Sequence, residues 1–346
     1  MSDNTSESEQ QQQMKEISIC PDVWYGVFAF VSPRELGQLM ALISDEFDAL
    51  VDVHFKSRKW SLGSMQIYRA TDGGNGAQIF NTGSRELLPI PQGLLPKKVI
   101  GIGVLEISYI DQTVVEFLQR IRRLFVDSAE TSVGISTSDD QSRSWEIIWQ
   151  NIWPLVNDNI CLLFLDAELD CLRQFSPAIL CNCANLRSIG SAEHFPEFPA
   201  DDNADASSDQ ALSKWLLSPR EDGRPKVLYC CYSEEMEELK GSFGNALEPV
   251  NCIIKFWIDE DDDDLEPFEL KNNWTGERLT FRQIDKDSLV HSWLLVRCPI
   301  GREEAKWREW EKEASDSKWD ARNVISIAFN DRDIGDGMLD KNDEGP

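Results

Sequence analysis

Basic side chains are scarce in this sequence: 34 Lys and Arg stand against 61 Asp and Glu, a formal charge of −27 with a pI near 4.4. A surface of that sign repels phosphate backbones, whereas nucleic-acid binders carry basic patches that release counterions, so no nucleic-acid partner is expected. Histidine is scarcer still. His54, His194 and His291 lie far apart in unlike contexts, which gives zinc sites and His-based triads little to work with. No Gly-Lys-Ser/Thr occurs, and Gly101-Ile102-Gly103 lacks the third glycine of a dinucleotide-binding turn. Neither cofactor nor metal is expected, and the chain reads as no enzyme. No apolar run approaches the roughly 18 residues of a membrane span. Met1 to Gln13 is polar, with a Gln run where a secretory signal needs an apolar stretch. The expectation is a soluble intracellular protein, cytoplasmic or nuclear.

What cysteine there is forms no CxxC pair. The nine residues (Cys20, Cys161, Cys171, Cys181, Cys183, Cys230, Cys231, Cys252 and Cys298) sit mostly among apolar neighbours and read as buried, reduced thiols. The triplets Asn4-Thr5-Ser6 and Asn273-Trp274-Thr275 are then chance matches to a glycosylation signal. The run Asp259 to Asp264 reads as a solvated, self-repelling loop. Asp331, Asp333, Asp336 and Asp340 imitate a calcium loop, but Asp336 stands where a Gly is required and Asn342 where the bidentate Glu belongs. Trp145, Trp149, Trp153, Trp215, Trp257 and Trp293 fall at positions suited to a core.

With 41% apolar side chains over 346 residues, the chain can bury a sizeable core. Residues 1 to 16 are Ser, Glu and Gln rich and read as a disordered tail, as does the acidic stretch 331 to 346. Residues 17 to 58 carry apolar side chains at helical spacing: Val23, Trp24, Val27, Phe28 and Val31, then Leu36, Leu39, Met40 and Ile43, then Phe47, Leu50, Val51 and Phe55. Three short helices follow. Ser32, Pro33 and Glu35 form a capping-box start for the second, and Ser44 is a candidate cap for the third.

Residues 59 to 97 read as a β-hairpin and linker: Ser64 to Tyr68 alternates, Asp72 to Gly76 is a turn signal, Ala77 to Phe80 returns, and Pro89 to Pro96 connects. Residues 98 to 257 alternate strand and helix candidates. The strands are Val104 to Tyr109, Ser132 to Ile135, Ile160 to Leu165, Leu186 to Ile189, Lys226 to Cys231 and Cys252 to Trp257. Markers Leu105, Val133, Ile160, Leu186, Val227 and Ile253 are separated by 28, 27, 26, 41 and 26 residues on subtraction, close to a leucine-rich-repeat period. The long step holds Asp201 to Gln210, read as a surface loop. Helical faces such as Val114, Val115, Leu118, Ile121 and Phe125, or Ile147, Ile148, Ile152 and Leu155, lie between the strands. The Leu and Asn ladder of a regular repeat is absent, so an irregular α/β solenoid and an α/β sandwich both remain open. Residues 258 to 330 read as a β-rich cap: a meander (Phe268 to Leu270, Leu279 to Ile284, Trp293 to Cys298), a charged helix Arg302 to Ala314, and a strand Val324 to Phe329. The fold class is α+β or α/β.

Within the first module, the stretch Ile19-Cys20-Pro21-Asp22-Val23-Trp24, continued by Val31-Ser32-Pro33-Arg34-Glu35-Leu36, resembles the opening of an F-box. The continuation Leu39 to Ser44, with Phe47 three residues on and Leu50-Val51 after it, is similar to the rest of that motif. The likeness spans about 35 residues. Cys20 stands where the family usually has Leu, and Asp45, Glu46 and Asp48 where it is often basic. Phrases such as Trp60-Ser61-Leu62-Gly63, Leu88-Pro89-Ile90-Pro91 and Phe268-Glu269-Leu270-Lys271-Asn272 resemble the expanded F-box-like families of nematodes.

That resemblance implies a substrate-recruiting subunit of a Skp-cullin-F-box ubiquitin ligase. The helical module would dock on a Skp-family adaptor, which leads to a cullin-RING ligase, and the rest of the chain would hold a target protein. The implied adaptor-binding residues are Pro21, Val23, Trp24, Val27, Phe28, Leu36 and Leu39, as an apolar helix face entering a groove. The alternative is a non-catalytic interaction scaffold with no ligase partner.

Overall fold

The computed structural model describes residues 19–31, 35–70, 76–126, 131–258, 265–284, 292–316 and 323–338. The expected tail 1 to 16, Ser32 and Pro33 of the capping box, Asp72 to Asn75, the run Asp259 to Asp264, His291, Asp340 and Asn342 lie outside these. The chain divides into two compact units, Met1–Trp60 and Ser61–Pro346.

In the first unit, helix α1 (Pro21–Phe28) is followed by a π-wound turn, Leu36–Met40, and helix α2 (Asp45–Ser57). Pro21 suits the start of α1 because its missing N–H would be unsatisfied there anyway. Ser44 caps α2 as expected, its Oγ accepting from Phe47 N at 3.3 Å.

The second unit is a mixed α/β structure built, among the described residues, on a 13-stranded sheet. Its strands are β1 (Met65–Arg69), β2 (Ala77–Asn81), β3 (Glu86–Pro89), β4 (Val104–Ile107), β5 (Thr131–Ile135), β6 (Ile160–Phe164), β7 (Ser188–Gly190), β8 (Lys226–Cys231), β9 (Cys252–Trp257), β10 (Phe268–Asn272), β11 (Glu277–Gln283), β12 (Ser292–Pro299) and β13 (Asn323–Ile327). They lie in the order β10-β11-β12-β9-β8-β7-β6-β5-β13-β4-β1-β2-β3. The block from β9 to β1 is parallel throughout, and antiparallel strands extend it at both ends.

Helix α3 (Gln112–Val126) links β4 to β5. Between β5 and β6 run α4 (Ser142–Ile147), a π-wound turn Ile148–Ile152, and α5 (Trp153–Val156). The π turn precedes Pro154, which has no N–H to return to the carbonyl four residues back. Helices α6 (Glu168–Phe175) and α7 (Ile179–Asn182) precede β7, α8 (Ser208–Leu216) precedes β8, and α9 (Met236–Asn245) precedes β9. Helix α10 (Glu304–Ser315) carries the chain from β12 back to β13.

Several expectations are corrected. The strand near 324 was expected beyond residue 257 as part of a cap, yet β13 lies inside the sheet between β4 and β5. It is held there by Asn323, fully buried, whose side chain accepts from Ile102 N at 2.7 Å and donates to Leu124 O at 3.1 Å. The markers Leu105 and Val133 are therefore not on neighbouring strands, whereas β5 to β9 do lie side by side in chain order. The hairpin β1–β2 is no mere link, because β1 pairs in parallel with β4. Asp201 to Gln210 is not wholly loop: Ser207 and Gln210 form a reciprocal capping box that starts α8. The connector after Leu88 begins as strand β3, where Pro89 is tolerated because the strand is at the sheet's edge.

Helices occupy both faces. Thr131 and Asn323 side chains reach carbonyls of α3, and Lys226 Nζ donates to Trp215 O of α8 at 2.5 Å. The alternate residues Val227, Tyr229 and Ile253 instead pack with Leu294, Val296, Trp307 and Ala314, so α10 covers the opposite face. Right-handed crossovers put α3 and α8, which join parallel strands, on one side; β12 runs antiparallel to the block, so α10 belongs to a different kind of connection and packs on the other face.

None of the nine cysteines is in a disulfide. Cys171, Cys183, Cys230, Cys252 and Cys298 are buried, but Cys20, Cys181 and Cys231 are exposed, against the expectation of burial. Trp145, Trp153, Trp215 and Trp293 are core residues, while Trp149 and Trp257 are half-buried.

Candidate functional site

The first unit has its own small core. Phe28 and Leu36, each 1% exposed, meet Val51 at its centre, and Trp24, Tyr25, Phe47, Leu50 and Phe55 pack around them. Trp24 sits edge-on to Phe47 with ring centroids 4.7 Å apart. His54 belongs to the same core, its ring 5.5 Å from that of Phe28. Burial, with the nearby Arg58 guanidinium second, pushes His54 below its ordinary value, so it is neutral at pH 7. Its Nδ1 is buried without a hydrogen-bond partner and borders a cavity of about 180 Å³ lined by Phe28, Val31, Leu36, Phe55, Arg58 and Trp60 among others.

The seven residues marked by the sequence are divided by this geometry. Phe28 and Leu36 are buried in the unit's own core, and Trp24 is half-buried against it. Pro21, Val23, Val27 and Leu39 face outward, Leu39 at 64% exposure. Sequence reasoning missed Ile19, Phe30, Leu42 and Ile43, all exposed, with Phe30 at 93% and Leu42 at 80%. The available signal was arithmetic: three short helices hold more large apolar residues than their mutual contacts can cover.

The outward residues fall into two groups. Val23 and Val27 are one turn apart on α1, and Leu39, Leu42 and Ile43 follow at helical spacing along the π turn and the residues after it. Scattered exposed apolar residues are ordinary, but here several fall on a short stretch of chain. Charge of one sign lies beside it. Asp45, Glu46 and Asp48 occupy the first turn of α2, where carboxylates favour the helix N-terminus.

Other side chains that could have carried chemistry have structural partners. His194 is clamped, Nδ1 at 2.8 Å from Asp209 Oδ1 and Nε2 at 2.8 Å from the carbonyl oxygen of Asp166. Both partners offer oxygen acceptors, an arrangement that favours the doubly donating imidazolium. Burial disfavours that cation, but the bonds to Asp209 and Asp166 outweigh it and raise the His194 pKa. Asp331 and Asp333 are both engaged: Asp331 Oδ1 accepts from Ser144 N and Oγ, at the start of α4, each at 2.8 Å, and Asp333 Oδ2 accepts from its neighbour Asn330 N at 3.1 Å. Among the described residues no three His, Cys, Asp or Glu side chains gather as metal ligands, and no helix is long and apolar enough to cross a membrane.

Comparison with family models, with curated proteins and with solved structures returns no match for this chain.

Proposed function

We propose that the chain is a substrate-recruiting subunit of a Skp-cullin-F-box type ubiquitin ligase, docking on a Skp-family adaptor through its first unit and holding a target protein on its second. The observation that carries this is the set of exposed apolar side chains on a small helical unit whose core is already complete. Such a surface suits helix-in-groove recognition. The docking residues are Val23, Val27 and Leu39, joined by Ile19, Phe30, Leu42 and Ile43, while Trp24, Phe28 and Leu36 hold the helices that present them. The parallel run β5 to β9, read as a leucine-rich-repeat-like stretch, belongs to the target-holding part. The chain makes and breaks no bond itself; it supplies proximity.

The test is titration of the full chain with a purified Skp-family adaptor, comparing Val27→Ser with Leu39→Ser against the native protein. Binding by the native chain and its loss in the variant, with an unchanged circular dichroism melt, is the expected result. Undiminished binding by the variant, or none by the native chain, overturns the proposal. A second reading, an interaction scaffold with no ligase partner, is favoured by Asp45, Glu46 and Asp48 standing where F-boxes are often basic. It predicts that the native chain ignores the adaptor.

A further inference from the structure

At the carboxyl ends of β1, β4 and β13 lies a half-open cavity of about 150 Å³ that the proposed recruitment role does not use. In sheets of parallel strands this is the end where ligands bind, because loops diverge there and leave a crevice. Its floor is polar and buried: Tyr109 and Asp111 are 4% and 6% exposed. Asp111 Oδ1 is occupied by Thr113 Oγ at 2.6 Å and Val114 N at 3.0 Å, at the start of α3, while Oδ2 points toward Gly76. One wall is bare backbone. Gly335 donates to Ile110 O at 2.7 Å and sits so close that a Cβ would come within 2.7 Å of Asp111 Cβ.

The rim carries one charge of each sign. Arg69 lies with its guanidinium 5.0 Å over the Tyr109 ring, and its Nη2 alone makes both backbone contacts, to Arg332 O at 2.8 Å and Ile334 O at 3.5 Å. Asp336 is exposed on the same cavity. A simple anion in this space would face two carboxylates, and a simple cation would face Arg69. A ligand that carries both charges meets the guanidinium and the carboxylates together. The size is set as well, since about 150 Å³ holds roughly six heavy atoms, the space benzene fills in an engineered protein cavity. We propose that this cavity binds a small zwitterion of the α-amino-acid class, its carboxylate on Arg69 and its ammonium between Asp111 and Asp336.

The experiment is calorimetric titration of the full chain with L-alanine and L-serine, alongside acetate, methylammonium and N-acetyl-L-alanine, each of which carries only one of the two charges. The amino acids bind saturably, and each control binds at least about tenfold more weakly, the loss of one charge-assisted contact. Arg69→Gln and Asp336→Asn each weaken the amino acid by a similar factor. Arg69 also ties down residues 332 to 334, so Asp336→Asn, at an exposed position, decides the matter if Arg69→Gln fails to fold. Ligand also slows hydrogen exchange over residues 331 to 338. No saturable binding up to roughly 10 mM, equal binding of the controls, or undiminished binding by Asp336→Asn overturns the proposal.

Discussion

Removing the charge of Arg297 is expected to be among the most destabilising single changes in the second unit. Arg297 on β12 and Glu277 on β11 form a buried, two-pronged ion pair, with Nη2 at 2.7 Å from Oε2 and Nε at 3.2 Å from Oε1. Glu277 is wholly inaccessible, and its Oε1 also accepts from Val250 N at 2.8 Å. Arg297 donates further to Glu248 O at 3.0 Å and lies 5.3 Å over the Phe243 ring. Arg297→Met keeps most of the apolar stem but strands a carboxylate where water cannot reach. Stranding one partner of a buried pair costs about 3–5 kcal/mol, whereas replacing both by apolar groups is often nearly neutral. Here the double variant Glu277→Leu with Arg297→Met still leaves Val250 N and Glu248 O without these partners, at about 1–3 kcal/mol per buried unsatisfied group. It should nonetheless be more stable than Arg297→Met alone. Urea unfolding followed by tryptophan fluorescence reports both, as shifts in midpoint at constant slope. A loss below about 1 kcal/mol for Arg297→Met, or a double variant no better than the single, refutes the idea that stranded charge, and not lost packing, sets the cost.

Three more outcomes follow from the same physics. Because the His194 clamp raises its pKa above the ordinary 6.5, its stabilisation is full below that pH and fades as pH rises through the folded-state value. The melting-temperature gap between native and His194→Gln should therefore narrow from pH 6 upward, and a gap that widens refutes the doubly donating imidazolium. Lys226, buried and 5.1 Å over the Trp215 ring, is pushed down to about 8 by burial, so the folded state binds fewer protons than the unfolded one between that value and 10.5. Native stability relative to Lys226→Met should rise across that window, and a flat or falling difference in urea melts speaks against a desolvated amine. Gly190→Ala on β7 would set a Cβ 2.7 Å from two ring atoms of Phe164, an overpacking clash worth about 1–3 kcal/mol unless Phe164→Leu accompanies it, which thermal melts of the single and double variants decide.

The strands were readable where local pattern sufficed. Lys226–Cys231 and Cys252–Trp257 are found as expected because a continuous apolar run bounded by turns is characteristic of a strand buried on both faces. Leu186 misled the start of β7: it is buried, but in the turn before the strand and not in the ladder. The order of the strands was unreadable, since nothing local to residues 323–327 says that they pair between β4 and β5, where Ile325 meets Leu105 (325 − 105 = 220 residues back) and Val133 (325 − 133 = 192), and such pairing is specified only by the finished core. The capping box at Ser207 and Gln210 was present in the sequence and overlooked because the stretch before it is so polar.

The proposed docking surface was legible only in outline, for a physical reason. Periodicity identifies which residues of a helix are apolar, but α1 is apolar nearly all round, so the same pattern serves a core and an exposed face. The division of Trp24 and Phe28 from Val23 and Val27 is set by packing against α2, where Phe47, Val51 and His54 supply the inner wall. Short helices such as these are stabilised chiefly by tertiary contact, and here that contact is centred on three fully buried side chains, Phe28, Leu36 and Val51. A unit with so little interior and so much apolar surface has more to gain from a partner than from itself. Covering Val23, Val27, Leu39 and Leu42 would stabilise the folded helices by mass action, so docking and helix stability should rise together.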